Sequence, residues 1–387
     1  MEFIRNLYAN MKINKCRVCN RSFLGKPLLQ YNNMPSGAQN LPNKNDLEKD
    51  KGIDMEIYQC SGCGLIQLNN NPVPYYREVI RATSFSDEMK NFREIQFENF
   101  VKKYSLNGKK IIEIGCGNGE YLGIMKKYNE NSYGLEYAKK SVKKCIDNGF
   151  SVFQGYVKSN DYKIKNSPYD AFFIMNFLEH LPNINSVLNG IYNNLSDDGV
   201  GIIEVPNFDM ALKKNLFFEF IPDHLFYFTK DTLKTTLEVN GFEIIDCEVV
   251  WHKYIISVIV KKRKRLSIDH FYNCQESLRM EVDKYVSKYK KIAIWGAGHE
   301  ALTIISMMNL SGKIKYVVDS ATFKQGKYTP STHIPIVSPD TLKTDQVDAI
   351  IVMAASYSDE VVKILKEKYN KNINISVLRD FGLEKIR

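Results

Sequence analysis

Short apolar runs alternate with amphipathic segments along most of the chain after Lys109. Each run has the length of a strand, and several of the segments between them carry apolar residues at helical spacing. This alternation is typical of a parallel sheet covered by helices. It predicts strands at KKIIEIGCG, NSYGLEY, FSVFQG, YDAFFIMN and GVGIIEVPN, and a closing hairpin of strands in GFEIIDCEVVWHKYIISVIVKK.

A second alternation follows a basic stretch and a helix predicted near 271–289, with strands at KKIAIWGAGHE, IKYVVDS, DAIIVMA and INISVLRD. The first part of the chain differs, because it is rich in turn residues and carries close cysteine pairs. The pattern therefore predicts a small module at 1–70, an α/β domain with a helical lead-in at 71–262, and a second Rossmann-like α/β domain at 263–387. The helical lead-in is expected over 71–106.

Two cysteine pairs stand in the N-terminal module. Cys16 and Cys19 belong to CRVC, and Cys60 and Cys63 belong to CSGC. Two such pairs can close one tetrahedral zinc site of four thiolates, which leaves no open position for catalysis. We predict a structural zinc ion; unligated buried thiols and a redox pair are the alternatives.

The segment IIEIGCGNGEYL reads as a strand, a glycine turn and the start of a helix. Gly115, Gly117 and Gly119 have the spacing G-x-G-x-G, which is not that of dinucleotide sites. Glu136 ends the next strand, where an acid can accept hydrogen bonds from both hydroxyls of a ribose. Glu113 can contact the amino group of a methionine part. The combination predicts a class I methyltransferase fold that binds S-adenosylmethionine (SAM).

The loop after the fourth strand reads NFLEHLPN. Open α/β sheets bind their ligands at the carboxyl ends of strands. We therefore expect Asn176 and Glu179 to lie over the methyl-donor pocket.

A second glycine turn, IWGAGHEA, fits G-x-G-x-x-A with Gly296, Gly298 and Ala301, and Asp319 ends the next strand. Taken alone, it favours a nicotinamide dinucleotide and an oxidoreductase. A full dinucleotide fold needs two halves, whereas about four strands fit before the chain ends. A structural or acceptor-binding role is the preferred interpretation.

The composition, with 44% apolar and 25% charged residues, is that of a soluble globular protein. No apolar run is long enough for a membrane span, and the N-terminus lacks a signal peptide, so a cytoplasmic location is expected. The net charge of +9 leaves open a nucleic-acid partner or a phosphorylated small substrate. The one dense basic run, KKRKR at 261–265, is interpreted as a solvated interdomain segment.

These motifs resemble the sugar C-methyltransferases of deoxysugar pathways. The resemblance spans nearly the whole chain and is carried by the cysteine pairs, PYYREVIRATSFS at 74–86, IIEIGCGNGEYL, NFLEHLPN, WGAG and FKQGKYTPSTHIPI at 323–336. It implies that the first domain holds zinc, that the second binds SAM, and that the third helps to hold a nucleotide-linked keto sugar. A nucleotide-sugar acceptor is therefore implied, and a nucleic-acid partner is not expected.

The resemblance also implies catalytic residues. His224 matches the general base of the family and His180 an active-site histidine. One of Tyr75 and Tyr76 matches an active-site tyrosine, and Tyr76 is preferred. Carbon next to a ketone needs a base that makes an enolate and a group that stabilises the oxygen, and histidine titrates near neutral pH.

The segment IPDHLFYF at 221–228 departs from the family's tyrosine–His–Glu–His. Ile221 and Pro222 replace the first two residues, and Asp223 replaces the glutamate. We expect Asp223 to orient or tune His224. The departure alters the acceptor pocket, so methylation of an amino-type sugar nitrogen is the alternative to methylation of carbon.

Two other classes of function compete. Zinc and positive charge suggest a methyltransferase of RNA or protein, but its exocyclic-amine version usually carries an Asn/Asp-Pro-Pro-aromatic motif, and residues 176–179 read NFLE. The second glycine turn suggests a non-catalytic or dinucleotide-binding protein. The preferred interpretation is a SAM-dependent methyltransferase that acts on a nucleotide-activated sugar at carbon next to a ketone.

Overall fold

Strands form the core of both units into which the chain divides, Met1–Lys264 and Arg265–Arg387. The parts of the chain that the computed structural model describes are residues 12–39, 41–78, 86–369, 371–380 and 382–387. The strands of the first unit are β1 (Leu29–Met34), β2 (Ile53–Gln59), β3 (Ile66–Leu68), β4 (Ile111–Ile114), β5 (Ser132–Glu136), β6 (Ser151–Gln154), β7 (Tyr169–Met175), β8 (Leu195–Pro206), β9 (Phe226–Tyr227), β10 (Phe242–Val250) and β11 (Ile255–Lys262). Its helices are α1 (Asp87–Lys103), α2 (Glu120–Tyr128), α3 (Lys139–Asp147), α4 (Ile184–Tyr192), α5 (Phe208–Lys213) and α6 (Lys230–Val239).

A seven-stranded sheet in the order β10-β11-β8-β7-β4-β5-β6 forms the centre of this unit. Neighbouring strands from β8 to β6 run parallel, and β10 and β11 add an antiparallel hairpin next to β8. The predicted α/β fold of a class I methyltransferase is confirmed. Because the chain order reverses between β4 and β7, the carboxyl ends of these strands open a crevice for ligands.

The lead-in helix is shorter than the sequence suggested. α1 begins at Asp87, where the side chain of Ser86 accepts a hydrogen bond from the Met89 backbone N–H at 3.1 Å. Residues 74–78 form turns and not a helix, and the predicted residues 79–85 lie outside the described parts of the chain. Pro72 and Pro74 disfavour helical backbone in Asn71 and Val73, which explains why no helix begins at residue 71.

A buried ion pair attaches α1 to the sheet. The guanidinium of Arg93 lies 2.5 Å from Glu204 Oε2 on β8, and both side chains are 0% exposed. Gln96 completes the network, because it accepts a hydrogen bond from Arg93 at 2.6 Å and donates one to Glu204 Oε1 at 2.6 Å. Each charge is therefore paired and bonded inside the protein.

A smaller antiparallel sheet, in the order β1-β2-β3-β9, carries the cysteine pairs. Its last strand, β9, comes from a distant part of the chain and pairs Tyr227 with Ile66 and Phe226 with Gln67. The Leu68 backbone N–H also donates to the Leu225 carbonyl at 3.0 Å. The segment around His224 is therefore bound into the N-terminal sheet.

The second unit is a six-stranded sheet in the order β14-β13-β12-β15-β16-β17, parallel except for its last strand. The four predicted strands are confirmed, and β14 and β17 add to them. Its strands are β12 (Ile292–Trp295), β13 (Tyr316–Val318), β14 (Ile336–Val337), β15 (Ala349–Val352), β16 (Asn374–Arg379) and β17 (Gly382–Lys385), and its helices are α7 (Asp269–Val286), α8 (His299–Met307), α9 (Thr341–Thr344) and α10 (Ser358–Lys368). None of the helices described in either unit is long and apolar enough to span a membrane.

The buried ion pair makes a testable prediction. Arg93→Met should lower the free energy of unfolding by about 3–5 kcal/mol, because it leaves the Glu204 charge buried without its partner. The double variant Arg93→Met/Glu204→Met should recover most of that loss. Urea unfolding followed by circular dichroism measures both; a double variant no more stable than the single one would contradict this account.

Candidate functional site

The first glycine turn lies at the switch point of the large sheet. Gly115, Gly117 and Gly119 have φ of 74°, 54° and 85°, in the left-handed region that favours glycine. A Cβ on Gly115 would lie 2.8 Å from the Phe177 ring, whereas a Cβ on Gly117 would meet nothing within 4 Å. The turn is therefore packed at its first glycine and open at its second, where a ligand can approach the backbone.

Glu136 ends β5 and faces this turn. Its Oε2 accepts a hydrogen bond from the Gly117 N–H at 2.9 Å, and its Oε1 accepts one from the Ala138 N–H at 2.7 Å. Burial raises the pKa of this carboxyl. Two backbone donors thus fix the carboxylate at the place where an acid would bind the hydroxyls of a ribose.

A cavity next to the glycine turn includes a cation that sequence reasoning missed. Gly115 and Glu136 line it together with Arg77, Tyr137, Tyr156 and Phe177. The guanidinium of Arg77 lies 4.9, 5.5 and 5.0 Å from the ring centres of Tyr76, Tyr137 and Tyr156. Only the position of Arg77, directly after two tyrosines, hinted at this cation–π cluster.

Two further predicted SAM contacts lie at the ends of β4 and β7. Glu113 is buried within β4. Asn176 has a φ of 51°, and its Oδ1 is buried without a hydrogen-bond partner among the described residues. A buried acceptor of this kind commonly bonds to a ligand or a water molecule. The exposed backbone at Gly117 and these polar side chains offer the kinds of hydrogen-bonding group that SAM requires.

A short turn, Leu178–His180, holds the segment that carries His224. His180 Nδ1 lies 2.7 Å from the Asp223 carbonyl oxygen, and the Leu225 backbone N–H donates to the Glu179 carbonyl at 2.9 Å. The rings of His180 and His224 meet edge to face, with their centres 4.7 Å apart. The structure therefore brings the two predicted histidines and Glu179 together.

Burial sets the charges of this cluster. It raises the pKa of Glu179 to about 8, and it lowers the pKa of His180 to about 4 and that of His224 to about 3. At neutral pH the carboxyl is therefore mostly protonated and both rings are neutral. Since a carbonyl accepts from His180 Nδ1, that nitrogen carries the proton and Nε2 has a free lone pair. Ligand-type atoms of the three residues lie within 4.8 Å of one another, a spacing that also suits a metal ion.

Tyr75, and not Tyr76, contacts the histidine segment. The Tyr75 hydroxyl donates to Asp223 Oδ1 at 2.9 Å, and the Ala38 backbone N–H donates to Asp223 Oδ2 at 2.8 Å. Tyr76 contacts Arg77 and lies edge-on to Tyr156, two residues that line the cavity next to the glycine turn. The bonds from Tyr75 and Ala38 hold the Asp223 carboxylate, and this fixes the backbone next to His224. A catalytic role of Tyr76 stays a prediction.

His224 also lines a second cavity, at the carboxyl end of β8. The other residues around it are Pro206, Asn207, Phe208, Met210, Ala211, Glu219, Phe226, Tyr227 and Tyr254. The Tyr254 hydroxyl donates to Glu219 Oε2 at 3.1 Å. Sequence reasoning missed the polar residues Asn207, Glu219 and Tyr254, because they are distant from one another in the chain.

The four N-terminal cysteines form one cluster whose sulfur atoms all lie within 4.8 Å of one another. Cys16 Sγ is 3.6 Å from Cys63 Sγ, and Cys19 Sγ is 3.2 Å from Cys60 Sγ. Backbone N–H groups donate to Cys16 and Cys60, and Gln67 also donates to Cys16 at 3.1 Å. Donors of this kind stabilise thiolates, so the cluster could hold a metal ion.

In the second unit, the glycine turn has structural explanations. A Cβ on Gly296 would lie 2.3 Å from the Met353 carbonyl oxygen, so close packing requires glycine there. The carboxylate of Asp319 accepts hydrogen bonds from the backbone of Ala297 and Ala321 at 2.8 Å each and pairs with Lys324 at 2.9 Å. The two backbone bonds are of the kind that Glu136 also accepts, and the ion pair with Lys324 is the contact that occupies this carboxylate further.

Two family models match this chain, one in each of the two structural units. A family model described as a methyltransferase domain matches residues 89–246, and one described as a C-methyltransferase C-terminal domain matches residues 269–377. The chain is 22% identical to the C-methyltransferase NovU of Streptomyces niveus, over 92% of this chain and 93% of the relative. The chain therefore carries a methyltransferase domain followed by a C-methyltransferase C-terminal domain. It is thus a SAM-dependent methyltransferase.

Solved structures resemble part of this methyltransferase. A SAM-dependent methyltransferase from Clostridium acetobutylicum has 13% identity and a TM-score of 0.38, over 49% of this chain and 96% of that one. The PH0226 protein from Pyrococcus horikoshii has 15% identity and a TM-score of 0.40, over 49% of this chain and 98% of that one.

Glu136→Ala in this methyltransferase should raise the Kd for SAM about ten- to hundredfold. The reason is the loss of charge-assisted hydrogen bonds worth about 1.5–3 kcal/mol. Isothermal titration calorimetry measures the effect, and Glu130→Ala, which changes an exposed glutamate, is the control. An unchanged affinity in a folded Glu136→Ala protein would remove Glu136 from the site.

Proposed function

We propose that this enzyme transfers the methyl group of SAM to a carbon next to the ketone of a nucleotide-linked sugar. The observation that carries the proposal is the position of His224. Its neutral ring lines the second cavity, and the turn that holds it follows β7 at the same carboxyl edge of the sheet as the glycine turn. The acceptor class itself comes from the resemblance to sugar C-methyltransferases.

In the proposed reaction His224 takes a proton from the carbon next to the ketone, and the electrons of that C–H bond move toward the ketone oxygen. SAM bound at the glycine turn supplies a sulfonium methyl group, which the carbon takes while the sulfur keeps the bonding electrons. The protonated His224 returns its proton to solvent.

Burial makes this base dependent on its substrate. Desolvation, and repulsion from a protonated His180 ring, lower the pKa of the half-buried His224 to about 3, so it is a weak base. Negative charge that develops on the ketone oxygen would favour the protonated ring and raise the pKa during the reaction. The base should therefore act only when acceptor fills the cavity.

We assign the stabilisation of the oxygen to Glu179, with His180 as a positioning residue. His180 Nδ1–H is committed to the Asp223 carbonyl, and its Nε2 carries no proton in the neutral ring. Glu179 is mostly protonated, and its Oε2 has no hydrogen-bond partner among the described residues. A neutral carboxyl can donate a hydrogen bond to developing charge.

The basic run at 261–265 gives little support to a nucleic-acid substrate. Lys261 and Lys264 lie 3.1 and 2.7 Å from Asp198 Oδ1, and Lys262 lies 3.7 Å from Asp197. Lysines paired with carboxylates have less charge to offer to phosphates.

We propose that the cysteine cluster binds zinc and that the module at 1–70 depends on this zinc ion for its folding. We also propose that the SAM-binding domain spans 71–262 and the acceptor-binding domain 263–387. Four thiolates around zinc, at Zn–S distances of about 2.3 Å, would lie about 3.8 Å apart. The observed Cys16–Cys63 separation of 3.6 Å supports such a site.

Removal of zinc should unfold this module. A structural zinc ion contributes on the order of 10 kcal/mol in small domains. Mass spectrometry of metals should find one zinc per chain in the parent and in Cys274→Ser, which changes an exposed cysteine, but not in Cys60→Ser. A folded parent without zinc would refute the assignment.

The His224→Ala variant tests the proposed base. Its turnover on a nucleotide-linked keto sugar should fall about 10²–10⁴-fold, because the proton has no acceptor, while its SAM affinity should stay unchanged. In D₂O without SAM, the parent should exchange the proton next to the ketone and the variant should not, as NMR can follow. His252→Ala, which changes an exposed histidine, is the matched control.

Turnover of His224→Ala equal to that of the parent across pH 6–9 would show that another group removes the proton. A parent that methylates no nucleotide-linked keto sugar would contradict the proposed substrate class.

A further inference from the structure

Asn207 has an unusual position for its residue type. It follows β8 and is the N-cap of α5, where an asparagine ordinarily accepts a hydrogen bond from a backbone N–H of the first turn. Its side chain makes no such bond here. The residue is only 5% exposed, so its side chain is not directed into bulk water.

The two N–H donors of Asn207 bond to the loop that contains Lys253 and Tyr254. Its backbone N–H donates to the Tyr254 carbonyl at 2.7 Å, and its Nδ2 donates to the Lys253 carbonyl at 2.8 Å. This second bond fixes the orientation of the amide, because the flipped amide would place two oxygen atoms against each other. The atom that remains is Oδ1, which is buried and has no hydrogen-bond partner among the described residues.

A buried acceptor without a partner costs about 1–3 kcal/mol, so its retention points to a partner outside the chain, either a ligand group or a water molecule that a ligand group can replace. Asn207 lines the cavity that also contains His224, Glu219 and Tyr254. The residues described around this cavity include no lysine or arginine. The cavity therefore offers hydrogen-bond acceptors from Asn207 and Glu219, and it lacks a cation for a phosphate or a carboxylate.

We propose that Asn207 is a specificity-determining residue that accepts a hydrogen bond from a donor group on the acceptor sugar. The donor is a ring hydroxyl or ammonium group, and the cavity of about 20 Å³ beside His224 has room for one group of that size. This inference rests on the proposed function, since it takes the cavity beside His224 as the acceptor site. It adds that the bound part of the sugar carries a donor and no anionic group.

Substrates that differ in one group test this directly. The probes are nucleotide-linked keto sugars in which one ring hydroxyl next to the reacting region is retained, replaced by an amine, or replaced by hydrogen. For the parent, loss of the donor should lower kcat/KM about ten- to hundredfold, because Oδ1 then stays buried and unpaired. The hydroxyl and amine probes distinguish the two kinds of donor.

Two variants of Asn207, tested with the same probes, show whether this residue causes the discrimination. In Asn207→Ala the deoxy probe should lose no more than about twofold relative to the hydroxyl probe, since the partner atom is gone. Asn207→Thr should behave in the same way and keep the protein folded, because threonine caps α5 with its own hydroxyl. Unchanged SAM affinity in both variants verifies that the site is intact.

The outcomes separate this inference from the proposed function. If the parent methylates the hydroxyl and deoxy probes equally well, or if the variants keep the discrimination of the parent, Asn207 does not select the substrate, although the proposed function stands. If the parent methylates none of the probes, the proposed function and the inference both fail.

Discussion

The structure depends on how the segment Asp223–Tyr227 is held. From one side, the turn at Leu178–His180 binds it through the His180–Asp223 and Leu225–Glu179 hydrogen bonds, of 2.7 and 2.9 Å. From the other side, β9 is the last strand of the N-terminal sheet and pairs with β3. His224 lies between these two attachments. The N-terminal sheet thus helps to position the proposed base, and the proposed zinc ion would affect catalysis through this sheet.

The same burial that holds the segment determines its chemistry. Exclusion of water keeps both histidines neutral and keeps Glu179 protonated at neutral pH. In the proposed reaction, neutral His224 and neutral Glu179 carry no net charge until the substrate is deprotonated. The protonated His224 ring and the Glu179 hydrogen bond would then both stabilise the negative charge on the ketone oxygen. The site therefore has little basicity without substrate, which suits the proposed removal of a proton from one carbon acid.

The sequence predicted what depends on local pattern. The strands after Lys109, the glycine turn and the cysteine pairs each follow from short-range spacing, and the large sheet and the four-sulfur cluster agree with them. The features that it missed depend on distant parts of the chain. Strand β9 has only two residues and pairs with the distant strand β3, Tyr227 with Ile66 and Phe226 with Gln67. Asn207 looks like an ordinary helix cap, and Arg77 like an ordinary surface arginine, until the folded chain shows what surrounds them.

The position of the transferred methyl group tests the central claim most directly. The protein would be incubated with a nucleotide-linked keto sugar and SAM labelled with ¹³C in its methyl group, and the product examined by two-dimensional NMR. The account predicts that the labelled methyl is bonded to the carbon next to the carbonyl, with a long-range correlation to the carbonyl carbon. A labelled methyl bonded to nitrogen or oxygen would contradict it.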